Sequence, residues 1–149
     1  MSGVLSRLDR LLHLRNIAER ERARHLAEAI RSEERQREGR DAASALLERC
    51  GEQVAAAAGE VQSAGTLRQL GLAIWAAARE ARRAEASHAA SAEALQSEQE
   101  KFNEARKERR VVERYQERRR EADNLEEARQ EQKTMDEIER HQRTRRGER

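Results

Sequence analysis

The sequence predicts an all-α fold, a long antiparallel two-helix coiled-coil hairpin, and three observations carry that prediction. The 149 residues are 40% charged and only 2% aromatic and contain no proline, which is typical of long helices and not of a layered interior. Apolar residues recur at steps of three and four over most of the chain. One short segment, residues 59–66, combines two glycines with turn-forming side chains.

These observations predict a single coiled-coil hairpin over residues 1–149, with helix 1 at about 4–62, the turn at about 63–66 and helix 2 at about 67–143. Low hydrophobicity and dense charge also describe disordered chains. A disordered chain has no reason to keep a heptad register, so the periodicity favours helix.

Helix 1 opens with a broad apolar stripe, which consists of Val4, Leu5, Leu8, Leu11, Leu12 and Leu14. A heptad seam follows, formed by Ala23, Leu26, Ile30, Glu33, Arg37, Arg40, Ser44, Leu47, Gly51, Val54, Ala58 and Val61. Charged side chains occupy three positions in the middle of this seam where leucine is usual. We therefore expect loose packing there, which Gly39 increases because glycine weakens a helix interior.

The turn is expected to end at Thr66, whose hydroxyl can cap helix 2 while Gln69 reaches back to complete a capping box. A chain that folds back at residues 64 and 65 places Leu26 and Ile30 opposite Phe102. Apolar residues then face apolar residues, which agrees with a turn at this point.

The seam of helix 2 keeps the three-four alternation over six heptads, through Leu67, Leu70, Ile74, Ala77, Ala81, Ala84, His88, Ser91, Leu95, Glu98, Phe102, Ala105, Arg109 and Val112. The apolar pattern then shifts to Tyr115, Ala122, Leu125, Ala128, Met135 and Ile138, which predicts a stutter. Helix 2 is the longer helix, so we expect it to extend beyond helix 1 after about Leu125.

Charge is arranged in blocks along the end of helix 2. Residues 106–120 are net basic, residues 121–139 are strongly acidic and residues 140–149 are basic again. One interpretation is a solvated helix face with weak i to i+4 ion pairs. The other is a charge-patterned docking end for a protein partner.

Residues that could carry chemistry are sparse. The four histidines are far apart in sequence, and no phosphate-binding or nucleophile motif occurs, so we expect no catalytic, cofactor-binding or metal-binding residues and no enzyme activity. His88 falls on a seam position, where a packed structural histidine is the simpler interpretation than a ligand. The single Cys50 fits a reducing compartment, and no apolar run is long enough to span a bilayer, so a cytoplasmic location is expected.

Two stretches resemble a known family. The first comprises residues 6–15, Ser-Arg-Leu-Asp-Arg-Leu-Leu-His-Leu-Arg, followed by residues 19–28. The second comprises residues 126–137, which contain Glu-Gln-Lys-Thr-Met-Asp-Glu. Both are similar to the opening and closing segments of the FliJ/YscO family (SctO-type), the small coiled-coil stalk proteins of flagellar and type III secretion export. The middle is rich in alanine where flagellar members tend to carry more aromatics, which leaves the choice between flagellum and injectisome open.

The resemblance implies a non-enzymatic central stalk that is similar to the two-helix stalk of the rotary ATPase gamma subunit. Such proteins insert their paired termini into the hexameric export ATPase, stimulate it and link it to the cytoplasmic domain of the export gate; some bind secretion chaperones. It implies a location peripheral to the inner-membrane export apparatus, without membrane insertion. The ATPase-binding candidates are Leu8, Leu11, Leu12, Leu14, Arg15, Gln132, Met135, Asp136 and Ile138, and the gate-binding candidates near the turn are Leu67, Leu70, Ile74 and Trp75. Trp75 lies one position off the seam, as an exposed anchor or as a flanking core residue.

Two other functions stay open on the sequence. A generic coiled-coil scaffold or an export-chaperone binding protein would have the same periodicity. Nucleic-acid binding through the terminal arginines is disfavoured, because the acidic block would repel phosphates and no aromatic platform accompanies the basic residues.

Overall fold

A computed structural model describes residues 2–59 and 63–147, except for the side chains of residues 2–6 and 144–146. It contains two helices, α1 (Ser2–Ala57) and α2 (Ala64–Gly147), which pack against each other as a hairpin. The predicted all-α hairpin is therefore confirmed. The predicted end of helix 1 near residue 62 and the predicted seam residue Val61 lie outside the described residues.

The start of α2 differs from the predicted one because Ser63, not Thr66, caps the helix. The backbone N–H of Thr66 donates to Ser63 Oγ at 3.2 Å, and the N–H of Leu67 donates to the Ser63 carbonyl at 3.1 Å as the first bond of the helix. The hydroxyls of Ser63 and Thr66 lie 2.9 Å apart. Both residues are good caps, and capping at Ser63 adds almost a full turn of helix. The predicted capping box with Gln69 is wrong for this reason.

The seam predicted for α2 is confirmed from Leu70 to Val112, since every one of its positions is buried or half-buried. Leu67 is exposed, so the seam begins one position later than predicted. Beyond Val112 the same register continues to Gln116 and Asp123. The predicted stutter is wrong, because Tyr115 and Leu125 point away from α1 and a polar residue, Gln116, takes the buried position.

The seam of α1 is rotated relative to the predicted one. The shared positions Leu26, Glu33, Arg40, Leu47 and Val54 are half-buried as expected, and so is the predicted Gly51. Between them, the less exposed residues are Ala29, Ala43, Cys50 and Ala57, while the predicted Ala23, Ile30, Arg37, Ser44 and Ala58 are exposed. Small side chains allow the two backbones to approach closely, so alanine is favoured at the contact over the larger Ile30.

The hairpin comprises two compact units. The terminal unit contains residues 1–18 and 105–149, and the turn unit contains residues 19–104. In the terminal unit Arg15 pairs with Glu108, and in the turn unit Glu33 pairs with His88. A chain folded back at residues 64 and 65 would instead put Arg114 opposite Arg15 and Gln96 opposite Glu33. The predicted register, including the pairing of Leu26 with Phe102, is thus displaced by one to two helical turns, because α1 already ends at Ala57.

The interior of the hairpin is thin. Among the described residues, only Ala43, Ala77 and Gln116 are buried, and no large side chain is fully buried. Pairing of the helices therefore depends on partly covered leucines, small residues and polar contacts across the seam.

Candidate partner-binding surfaces

The ATPase-binding residues predicted on α1 fall into two groups. Leu8 and Leu12 are half-buried on the seam, where they hold the two helices together. Leu11 and Leu14 are exposed, Leu14 to 61%. Arg15 lies on the seam and its guanidinium donates to Glu108 at 2.5 Å. Of these five side chains, only Leu11 and Leu14 present apolar surface to a partner.

The candidates predicted on α2, which are Gln132, Met135, Asp136 and Ile138, all lie in a segment that does not pack on α1. Every residue from 124 to 143, called here the C-terminal overhang, is exposed. Met135 is 63% exposed, and Leu125 and Ile138 are also uncovered. The predicted extension of helix 2 is confirmed, but the structure does not bring these candidates together with those of α1.

Four exposed apolar residues in the terminal unit, Ile17, Val111, Tyr115 and Leu125, were not among the predicted site residues, and two of them lie beside the seam of the hairpin. Val111 is 67% exposed and Tyr115 is 58% exposed. Each directly precedes a seam residue of α2, as Leu11 and Leu14 directly precede seam residues of α1. In an antiparallel pair, residues that precede the seam by one position lie on the same side of both helices. These four residues therefore lie on one side of the helix pair, and they are called here the terminal strip.

Polar contacts hold the terminal unit together beside this strip. The side-chain amide of the buried Gln116 donates to Asp9, and Arg120 reaches the same carboxylate at 3.4 Å. Arg15 and Glu108 form the second cross-helix pair. Because these carboxylates are already engaged with cations or amides, the apolar strip is bordered mainly by positive charge.

Near the turn, the structure separates the four gate-binding candidates in the same way. Leu70 and Ile74 are half-buried on the seam, whereas Leu67 is exposed and Trp75 is 60% exposed. The guanidinium of Arg79 lies 5.4 Å from the centre of the Trp75 ring, in cation–π geometry. Of the two interpretations of Trp75, the exposed anchor agrees with this geometry.

His88 belongs to a polar cluster across the seam of the turn unit. Its Nε2 lies 3.0 Å from a carboxylate oxygen of Glu33, and its Nδ1 lies 3.4 Å from a guanidinium nitrogen of Arg40. A hydrogen bond to Asp41 raises the pKa of Arg40, so this side chain stays cationic. The histidine is packed and partnered, as predicted, and among the described residues no group of three or more potential ligands could hold a metal ion.

Glu98 is a second charged residue of the turn unit seam. Lys101 donates to Glu98 Oε1 at 2.6 Å, and this bond lowers the pKa of the carboxyl against the opposing effect of desolvation. The other oxygen, Oε2, has no hydrogen-bond partner in the described part of the chain. The seam thus tolerates a carboxylate because a lysine on the same helix neutralises it.

Comparison with known families adds the decisive observation. The model of the family described as Flagellar FliJ protein matches residues 5–148. The chain belongs to the FliJ family. The comparisons with curated proteins and with solved structures found no match.

Membership of the FliJ family makes the chain a component of flagellar or type III secretion export and places it among non-enzymatic stalk proteins. It also accounts for the two long helices of the hairpin. Neither helix, over the residues described, carries an apolar stretch that could cross a membrane.

Proposed function

We propose that this FliJ-family protein is the central stalk of its export apparatus: it inserts its terminal segments into the hexameric export ATPase, stimulates ATP hydrolysis and links the ATPase to the export gate. The observation that carries the proposal is the C-terminal overhang, a helix of which every residue from 124 to 143 is exposed. An uncovered helix with apolar residues in an acidic background is suited to a partner that surrounds it.

The terminal unit supplies the contacts with the ATPase. Leu11 and Leu14 on α1, and Gln132, Met135, Asp136 and Ile138 on the overhang, are the exposed members of the predicted set. Leu8, Leu12 and Arg15 act indirectly, because they hold α1 against α2. The acidic residues of the overhang meet basic side chains of the hexamer, and apolar contacts supply most of the affinity.

The turn unit supplies the contact with the gate. Leu67 and Trp75 are the exposed anchors, and Leu70 and Ile74 position them from the seam. Large exposed aromatic side chains are frequent hot spots of protein interfaces. The protein acts in the cytoplasm, peripheral to the inner-membrane export apparatus, and secretion chaperones are further partners.

A turnover assay with the purified cognate ATPase tests the proposal. Adding the protein is expected to raise the rate of ATP hydrolysis, and Met135→Ser with Ile138→Ser is expected to remove the increase because the overhang loses its apolar contacts. Leu72→Ser is the matched control, since Leu72 is about as exposed as Met135 but lies in the turn unit. Absence of both binding and stimulation by the unaltered chain would overturn the proposal.

A further inference from the structure

We infer that the terminal strip, formed by Leu11, Leu14, Val111 and Tyr115, is a docking site for one acidic amphipathic helix of a partner protein. The inference goes beyond the proposed function, because the strip lies outside the overhang and adds Val111 and Tyr115, which have no assigned role, to the proposed ATPase contacts Leu11 and Leu14. A third helix laid along the strip would complete a three-helix arrangement, as amphipathic helices do when they enter apolar grooves.

The residues of the terminal strip all directly precede seam residues. Leu14 and Val111 precede the seam residues Arg15 and Val112, and Leu11 and Tyr115 precede Leu12 and Gln116. The four residues therefore share one side of the helix pair. Apolar side chains on this side would accept residues spaced three and four apart on an incoming helix.

The residues that precede the seam change in character away from the terminal strip. Following α2 toward the turn, the residues that precede the seam are polar or small: Glu108, Glu104, Lys101, Ser97 and Ala94. On α1 the corresponding positions after Ala18 are Glu21, His25 and Glu28. From Glu21 to Glu28 on α1 and from Ala94 to Glu108 on α2, no large apolar residue directly precedes the seam, and Leu46 is the next one on α1.

The segments that carry the terminal strip are strongly basic, and this charge favours an acidic partner helix. Residues 7–18 and 106–120 contain eleven arginines and lysines against four acidic residues, a net charge of +7 in a chain whose net charge is +2. Three of the four acidic residues, Asp9, Glu108 and Glu113, are already paired within the hairpin. Arg7, Arg114 and Arg118 flank the strip and are exposed. A helix with leucines on one face and glutamates beside them satisfies both features.

A binding assay with designed probes tests the inference. The probe is a fluorescently labelled helical peptide of about 20 residues with a leucine stripe flanked by glutamates, studied at about 0.15 M salt. One control peptide carries lysine for glutamate, and a second carries glutamine for leucine. The expected result is that the full-length protein binds the acidic peptide at least about tenfold more tightly than either control.

Variants locate the site. Leu14→Asp with Val111→Asp is expected to weaken binding of the acidic peptide by about tenfold or more. Arg114→Glu with Arg118→Glu is expected to reverse the preference in favour of the lysine peptide. Leu72→Asp, at an equally exposed leucine of the turn unit, is the matched control and should change nothing. Circular dichroism spectra of all variants verify that the hairpin is intact.

Other occupants give other results, and each overturns the inference. Equal binding of the lysine peptide would show a non-selective apolar surface, and no binding of any peptide would exclude a helix site. Duplex DNA that competes with the acidic peptide and depends on Arg114 and Arg118 alone would indicate a nucleic-acid surface. A dimer in sedimentation velocity that is lost in the Leu14/Val111 variant and excludes the peptide would indicate that a second copy of the chain occupies the strip.

The proposed function fails in a different way. Failure of ATPase stimulation with intact peptide binding would contradict only the proposed function.

Discussion

Ser63 sets the point at which the second helix begins. Its side chain and its carbonyl accept the backbone N–H groups of Thr66 and Leu67, so two donors of the first helical turn are satisfied. Thr66 lies within the helix, where its hydroxyl contacts the cap residue.

Replacement of this cap should therefore be measurable. We expect Ser63→Ala to lower the free energy of unfolding by about 1 kcal/mol, because a helix start loses its side-chain acceptor. Urea unfolding followed by circular dichroism measures the change. The control is Ser97→Ala on the exposed side of α2, which should be close to neutral. A larger loss for Thr66→Ala than for Ser63→Ala would contradict this assignment of the cap.

The pair of Glu33 and His88 makes a second prediction at the residue scale. Both side chains are only 16% exposed, so each is largely removed from water. His88→Leu leaves the Glu33 carboxylate without its cross-helix partner and should cost about 1–3 kcal/mol. Glu33→Leu together with His88→Leu should restore or exceed the original stability, because an apolar pair suits a seam position. Urea midpoints of the unaltered protein and the two variants test this explanation. A double variant that is less stable than His88→Leu would contradict it.

At the scale of elements, the sequence identifies the seam residues of α2 more clearly than those of α1. The α2 seam has one clear apolar or small residue at nearly every step, and the structure reproduces it from Leu70 to Val112. The α1 seam offers two adjacent choices, such as Ala29 and Ile30. Hydrophobicity favours the isoleucine, whereas close approach of the backbones favours the alanine. Only the partner helix decides between them.

Helix α2 has a part that pairs with α1 and an exposed part, the C-terminal overhang. We expect Ser97→Pro, within the paired part, to destabilise the hairpin by about 3 kcal/mol or more, because proline removes a helix hydrogen bond and clashes with the preceding turn. Gln130→Pro breaks a helix that contacts nothing on α1, so the unfolding free energy of the hairpin should change by less than about 0.5 kcal/mol. Thermal unfolding and total helicity measure both effects. A large loss of stability in the second variant would show that the overhang packs.

For the whole molecule, the proposed stalk function requires two binding ends that can be inactivated separately. Leu67→Ser with Trp75→Ser should abolish binding to the cytoplasmic domain of the gate and leave ATPase stimulation unchanged, because both residues are exposed and neither supports the seam. The reciprocal variant, Met135→Ser with Ile138→Ser, should lose stimulation and keep gate binding. Pull-down and turnover assays measure the two activities. Loss of both activities in either variant would argue against separate ends.

Leu70 is unsuitable for this test, although the sequence marks it as a candidate. It is half-buried on the seam near the turn. A polar residue there would weaken helix pairing and confound a loss of binding with a loss of structure. The distinction between Leu67 and Leu70, three residues apart on the same predicted seam, is visible only once the end of α1 is known.

The sequence by itself determined the all-α hairpin, the seam of α2 and the exposure of the overhang, because heptad spacing and the lengths of the two segments suffice for those features. Its opening and closing motifs also indicated the FliJ family, which the match over residues 5–148 confirms. The tertiary structure decided the cap at Ser63, the side of α1 that pairs and the register of the two helices. These features depend on a competition between neighbouring residues of similar propensity, and that competition is settled by contacts with the other helix.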